Sequence, residues 1–149
     1  MIKWKGIILH CSASTFGERD VIDQWHRQKG WSEIGYSYVI CNGFIKKNVY
    51  DPEYDGLVQK GRELNKLQAH CKGYNDYIGI CLIGLDSFTV EQLDSLLWLL
   101  EDLMEEHELT VDDIHGHNEF SNKTCPVFDV ELVKKMLKEQ ICIDHPDFN

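Results

Sequence analysis

No stretch of this 149-residue sequence stays apolar for the ~20 residues that a membrane-spanning helix needs, so a transmembrane helix is excluded. Lys and Arg never run longer than two in a row, and 25 acids against 15 bases leave a net charge of −10. Nucleic acid is therefore a poor substrate, because phosphate binding draws on basic patches. Long-range attraction to an anionic cell surface is disfavoured for the same reason, so any grip on such a polymer has to be short-range and specific. Internal repeats, low-complexity linkers and the tight CxxC spacing of zinc fingers are also missing. The apolar run GIIL near the N-terminus is too brief for a signal-peptide core. Synthesis in a cytoplasm without a signal peptide is the expectation.

What is present fits one domain over residues 1–149, with 43% apolar residues to fill a single core. Six cysteines at positions 11, 41, 71, 81, 125 and 142 lie far apart in apolar contexts and are expected to be free thiols. Residues 5–11 (KGIILHC) read as a buried strand carrying His10 near its end. Glu18 to Lys29 reads as a helix with Val21, Ile22 and Trp25 on one face and Gly30 closing it. His26 on that helix is expected to pack. YSYVICNG reads as a second strand with Tyr36 at its start. Asp51-Pro52 breaks regular structure and Asp55-Gly56 is a hairpin signal, followed by a strand from Leu57 to Lys60. RELNKLQAHCKGYND, holding His70 and Asn75, reads as a loop over the sheet edge.

Tyr77 to Gly84 is almost wholly apolar, as a central strand covered on both faces should be. Thr89 and Gln92 form a capping box. Val90, Leu93, Leu96, Leu97, Leu100, Leu103 and Met104 then recur at helical spacing, with Glu101, Asp102, Glu105, Glu106 and Glu108 as the solvated face. Val111 to Gly116 reads as a short strand, and Asp129 caps a last helix from Val130 to Gln140 with Val133, Met136, Leu137 and Ile141 inward. The tail HPDFN, with His145, is expected to fray.

The stretch His115 to Asp129, HGHNEFSNKTCPVFD, concentrates imidazoles, the Lys123 ammonium and the Cys125 thiol within fifteen residues. Imidazole and thiolate both suit Zn²⁺, and three protein ligands leave one position for water. A lone His is more often a surface or satisfied core residue, and a lone Cys a small buried hydrophobe. His115 and His117, two apart, would share one face of a strand. Periodicity does not choose between them.

Six blocks in order, ILHCSAS, QWHRQKGWSEIGYSYVI, DGLVQKGR, AHCKGYNDYIGICLIG, FTVEQLDSL and IHGHNEFSNKTCPVFD, resemble the zinc-dependent N-acetylmuramoyl-L-alanine amidases of the type 2 family. That family includes short phage lysozymes and the animal peptidoglycan recognition proteins. The resemblance implies an α/β fold in a single domain. A mixed central sheet of about five strands would be flanked by about three main helices, with a zinc groove at one face.

By the same resemblance the metal ligands fall on His10, His117 and Cys125, leaving His115 as a neighbour and Cys11 packed. Tyr36 and Lys123 fall on the catalytic positions, as donors to the oxyanion of a tetrahedral intermediate. His70 and Asn75 match a substrate-holding loop. The implied reaction is hydrolysis of the amide between the lactyl group of N-acetylmuramic acid and L-alanine, in peptidoglycan reached after release from the cytoplasm. Tyr36 or a water is the expected proton donor to the leaving amine, with Glu119 structural. Ser37 replaces a family His and receives no role, and the excursion from Phe44 to Tyr54 is longer than in the smallest phage members. A monomer is expected. The alternative is a peptidoglycan-binding or polymerase-regulating module without essential catalysis.

Overall fold

The computed structural model describes residues 2–139. The expectations for Gln140, Ile141, Cys142 and the tail with His145 lie outside the described residues. Five strands, β1 (Ile7–Cys11), β2 (Tyr38–Asn42), β3 (Asp55–Lys60), β4 (Ile78–Leu82) and β5 (Ile114–Gly116), form one sheet in the order β3-β2-β4-β1-β5. β1 runs parallel to β4 and β5, β2 runs parallel to β4, and β3 is antiparallel to β2. Three α-helices complete the described residues: α1 (Arg19–Gln28), α2 (Val90–His107) and α3 (Val130–Glu139). This is the mixed sheet with three helices that the resemblance implies.

The uninterrupted apolar content of IILHC and IGICL is what burial on both faces requires, and both strands are buried throughout. Side chains alternate between the two faces. Leu9, Ile40, Ile80 and Leu82 join Leu93, Leu96 and Leu100 of α2 and Val133 and Met136 of α3 in the larger cluster. Val39 and Cys81 turn the other way, with Ile22 of α1, Ile34 and Ile83. His10 is in register with Cys81 and so belongs to the α1 side.

The capping box of α2 forms as the sequence indicates. Thr89 Oγ1 accepts from Gln92 N at 3.0 Å, and Gln92 Oε1 accepts from Thr89 N at 2.9 Å. Gln92 Nε2 also donates to the carbonyls of Ile40 and Ile83, joining the helix start to the ends of β2 and β4. Gln92 therefore takes the buried position on the first turn. Val90, expected in the apolar stripe, is 49% exposed.

Other departures follow from local geometry. Asp55-Gly56 is not the hairpin tip; Asp55 pairs with Asn42 and the register shifts between Ile40 and Asn42, which makes a bulge. Gly56 has φ +81°, and a Cβ there would stand 2.7 Å from the Glu91 carbonyl oxygen, so only glycine fits against α2. The excursion between β2 and β3 spans 43–54 and contains the 3-10 turn Pro52–Tyr54. Tyr36 lies two residues before β2 instead of at its start. Val111–Asp113 is a 3-10 turn, β5 keeps only three residues, and a second 3-10 turn begins at His117. His115 and His117 are therefore not strand neighbours on one face. The 62–76 loop lies over central strand β4, not the sheet edge: Ala69 N donates to Gly35 O, and the His70 ring sits on Gly79.

Candidate metal centre

Three separate pieces of chain meet above the α1 face of the sheet. His10 comes from β1 and is 1% exposed. His117 opens the 3-10 turn that follows β5, the strand beside β1. Cys125 lies in the segment leading to α3, where its Sγ accepts from Cys11 N at 3.0 Å. One potential ligand atom from each of His10, His117 and Cys125 lies within 4.8 Å of the other two. The His10 and His117 ring centroids are 4.5 Å apart.

The protonation states of the two imidazoles suit a cation. Burial, then the neighbouring His70 and His117 rings, pulls His10 well below the ordinary imidazole range. Burial and the Lys123 ammonium lower His117. Both rings are thus neutral donors at neutral pH. Cys125 Sγ also donates to the Cys11 carbonyl at 3.5 Å, and the two neighbouring thiols compete for one charge, so ionising one holds the proton on the other. Cys125 is the member held up, by the Cys11 side chain and by burial. The Cys11 amide aimed at its sulfur is the contact a thiolate favours. Cys11 itself packs in the larger core cluster, and its backbone N and O are the atoms that meet Cys125 Sγ. Two neutral imidazoles and one thiol that must lose a proton form a donor set that fits Zn²⁺, with a position to spare.

Beside these groups opens a groove of about 530 Å³, walled by Trp31, His70, Asn75, His117, Phe120 and Lys123. Lys29 and Lys72 also line it. Lys123 is exposed on its wall, where the sequence reading placed a catalytic cation. Tyr36 is not among the lining side chains. Its ring centroid is 4.9 Å from that of His10. Burial, with nearby thiols adding to it, raises Tyr36 well above its ordinary value, so the hydroxyl keeps its proton.

His70 and Asn75 both reach the groove. The ring nitrogens of His70, however, bond inward to His10 and to the Tyr77 carbonyl. The Asn75 amide, in the orientation that satisfies both of its atoms, donates to the carbonyls of Gln68 at 3.2 Å and Cys71 at 3.1 Å, which closes the loop on itself.

Remaining candidates have structural work. His115 bonds Glu119 at 3.1 Å, and the other oxygen of Glu119 accepts from Gly116 N at 2.7 Å. His26 is buried and accepts from Gly35 N at 2.9 Å. Ser37 Oγ lies 2.7 Å from both Gln68 Oε1 and the Arg62 carbonyl oxygen, pinning the loop that carries His70. No residue of the 43–54 excursion lines the groove. Sequence reasoning missed Trp31, Phe120, Lys29 and Lys72 as wall residues; an aromatic directly after the helix-closing Gly30 was the available signal for Trp31.

The sequence profile of the N-acetylmuramoyl-L-alanine amidase family matches residues 2–128. The chain belongs to this family. It is 36% identical over 138 residues to an endolysin of Escherichia phage T7, covering 84% of this chain and 82% of that one. Among solved structures it resembles the amidase LysC from Clostridium intestinale, with TM-score 0.79 and 27% identity over 92% of this chain and 87% of that one. It also shares the fold of a Drosophila PGRP-LB mutant in complex with tracheal cytotoxin, with TM-score 0.67 and 22% identity over 100% of this chain and 85% of that one. No helix among the described residues of this amidase-family chain is long and apolar enough to cross a membrane.

Proposed function

We propose that this chain is a zinc-dependent N-acetylmuramoyl-L-alanine amidase, cutting the amide between the lactyl group of N-acetylmuramic acid and the L-alanine of the stem peptide. The observation that carries the reading is the convergence of His10, His117 and Cys125 beside a groove. Family membership and the phage endolysin relatives support it. The setting that fits those relatives is lysis, with the protein reaching the wall after release from the cytoplasm as a single-domain monomer.

Zinc held by His10, His117 and Cys125 would supply Lewis acidity, easing the ionisation of a water near neutral pH. The chain's own groups do the rest. The groove wall of His70, Asn75, Trp31 and Phe120 receives the stem peptide and sets the scissile carbonyl near the two imidazoles. Lys123 donates to the oxygen that gains negative charge as the carbonyl carbon becomes tetrahedral. Tyr36, kept protonated by burial, is the second donor, a hydroxyl beside His10. The leaving amine takes its proton from Tyr36 or from a water.

The test removes donors one at a time. Cys125→Ser and His117→Ala should abolish release of stem peptide from purified sacculi, while elemental analysis falls from about one zinc per chain toward none and far-UV circular dichroism stays native. Wild-type turnover by either folded variant would overturn the ligand assignment. The solved Drosophila relative bound to a cytotoxin favours a binding module as the second reading. That reading requires unchanged cosedimentation with sacculi and no hydrolysis by the zinc-loaded wild-type chain.

A further inference from the structure

How one ligand is held can be read from hydrogen bonds, given the zinc reading above, on which this inference rests. His70 Nδ1 lies 2.7 Å from His10 Nε2. The other nitrogen of His70, Nε2, lies 2.8 Å from the Tyr77 carbonyl oxygen. A carbonyl only accepts, so His70 Nε2 carries a hydrogen. A neutral imidazole carries just one, and the groups that meet the His70 ring, the His10 and Tyr36 rings and the Tyr77 carbonyl, include no acid that would hold a second. His70 Nδ1 is then a bare acceptor. The short contact therefore makes His10 Nε2 the donor, and the same count leaves His10 Nδ1 without a hydrogen.

We propose that His70 is a positioning residue for the metal: it locks His10 in the Nε2–H tautomer and fixes the ring plane, so that Nδ1 is the atom offered to zinc. The Tyr77 carbonyl is the anchor of this relay. The fold leaves a place for it, because a Cβ on Gly79 of β4 would stand 2.7 Å from the His70 ring and only a bare backbone lets the imidazole lie there. The ring is further fixed edge-on to His10, with centroids 4.8 Å apart and planes at 87°. Both nitrogens of His70 being used inside the protein, its contribution to substrate is limited to ring surface on the groove wall.

The experiment has two readouts. In the metal-free wild-type protein, a long-range nitrogen–proton correlation spectrum should show His10 protonated on Nε2. Zinc affinity, measured by competition with a chelator, should fall roughly 10- to 100-fold in His70→Phe, which keeps a ring but has no acceptor. His70→Asn, whose Oδ1 can stand near the place of Nδ1, should recover most of that loss. A His10 protonated on Nδ1 in the wild type, or a folded His70→Phe chain binding zinc as tightly as wild type, would overturn the proposal. The tautomer measurement needs neither a variant nor a metal, so it decides the matter even if His70→Phe does not fold. A wild-type chain that takes up no zinc would instead overturn the zinc reading itself.

Discussion

Lys123 is the side chain whose loss should separate metal binding from turnover. It is exposed on the groove wall and supplies no ligand atom, yet its charge is felt at both His10 and His117. Lys123→Ala should lower kcat for muropeptide hydrolysis roughly 10²- to 10³-fold with zinc content unchanged; a parallel loss of zinc would mean a structural role instead. His26 gives a second prediction at this scale, on stability. Its pKa is pushed to about 4 by burial, against 6.5 for the model compound, so between those values the unfolded chain binds more protons than the folded one. Stability from this group is therefore present above pH 6.5 and is lost as pH falls toward 4. Melting temperature followed across that window should drop, and His26→Asn, which keeps an acceptor for the Gly35 amide but cannot protonate, should flatten the slope. The residue types of the site were legible in the sequence, but its membership was not: His10 and Cys125 are remote in sequence, and no periodicity links them. Resemblance named the ligands. The inward use of His70 was invisible, because it depends on Gly79 lying beneath the loop.

At the scale of elements, α2 was the most legible, since a capping box and an apolar stripe agree with each other. What the sequence pattern hid is the double use of Gln92, which closes the helix start and also satisfies the carbonyls of Ile40 and Ile83. Removing that buried donor leaves the Ile83 carbonyl unpaired, at about 1–3 kcal/mol, while the Ile40 carbonyl keeps its bond from Ile83 N. Gln92→Ala should therefore destabilise far more than the loss of an exposed first-turn acid, and chemical denaturation compared with Glu91→Ala measures the difference. Equal, small effects would show that water replaces the amide. Asp55-Gly56 was misread for a physical reason: the positive φ that a tight hairpin wants is the same one a bulge wants, and only the neighbouring α2 shows which it serves. The expected strand from Val111 was shortened because 3-10 turns take up both of its flanks.

For the whole molecule, the sheet, its two-sided burial and its helices followed from hydrophobic pattern and resemblance together, whereas the groove walls came from loops with no periodic signal. Charge is the property that only the assembled chain displays. The protein carries −10, yet three lysines, Lys29, Lys72 and Lys123, line the groove. Repulsion at a distance and attraction at contact should make binding to anionic sacculi insensitive to added salt, or slightly tighter as screening grows over a Debye length of ~8 Å at physiological ionic strength. Cosedimentation between low and physiological salt checks this, and a steep weakening would show that long-range attraction dominates after all.

The donors at residues 10, 117 and 125 are gathered from the two ends of the described chain. During synthesis, then, the proposed zinc site is incomplete until the ribosome has passed Cys125, and a polypeptide abandoned earlier lacks its sulfur. On the zinc reading proposed above, prematurely terminated products would be inactive toward peptidoglycan.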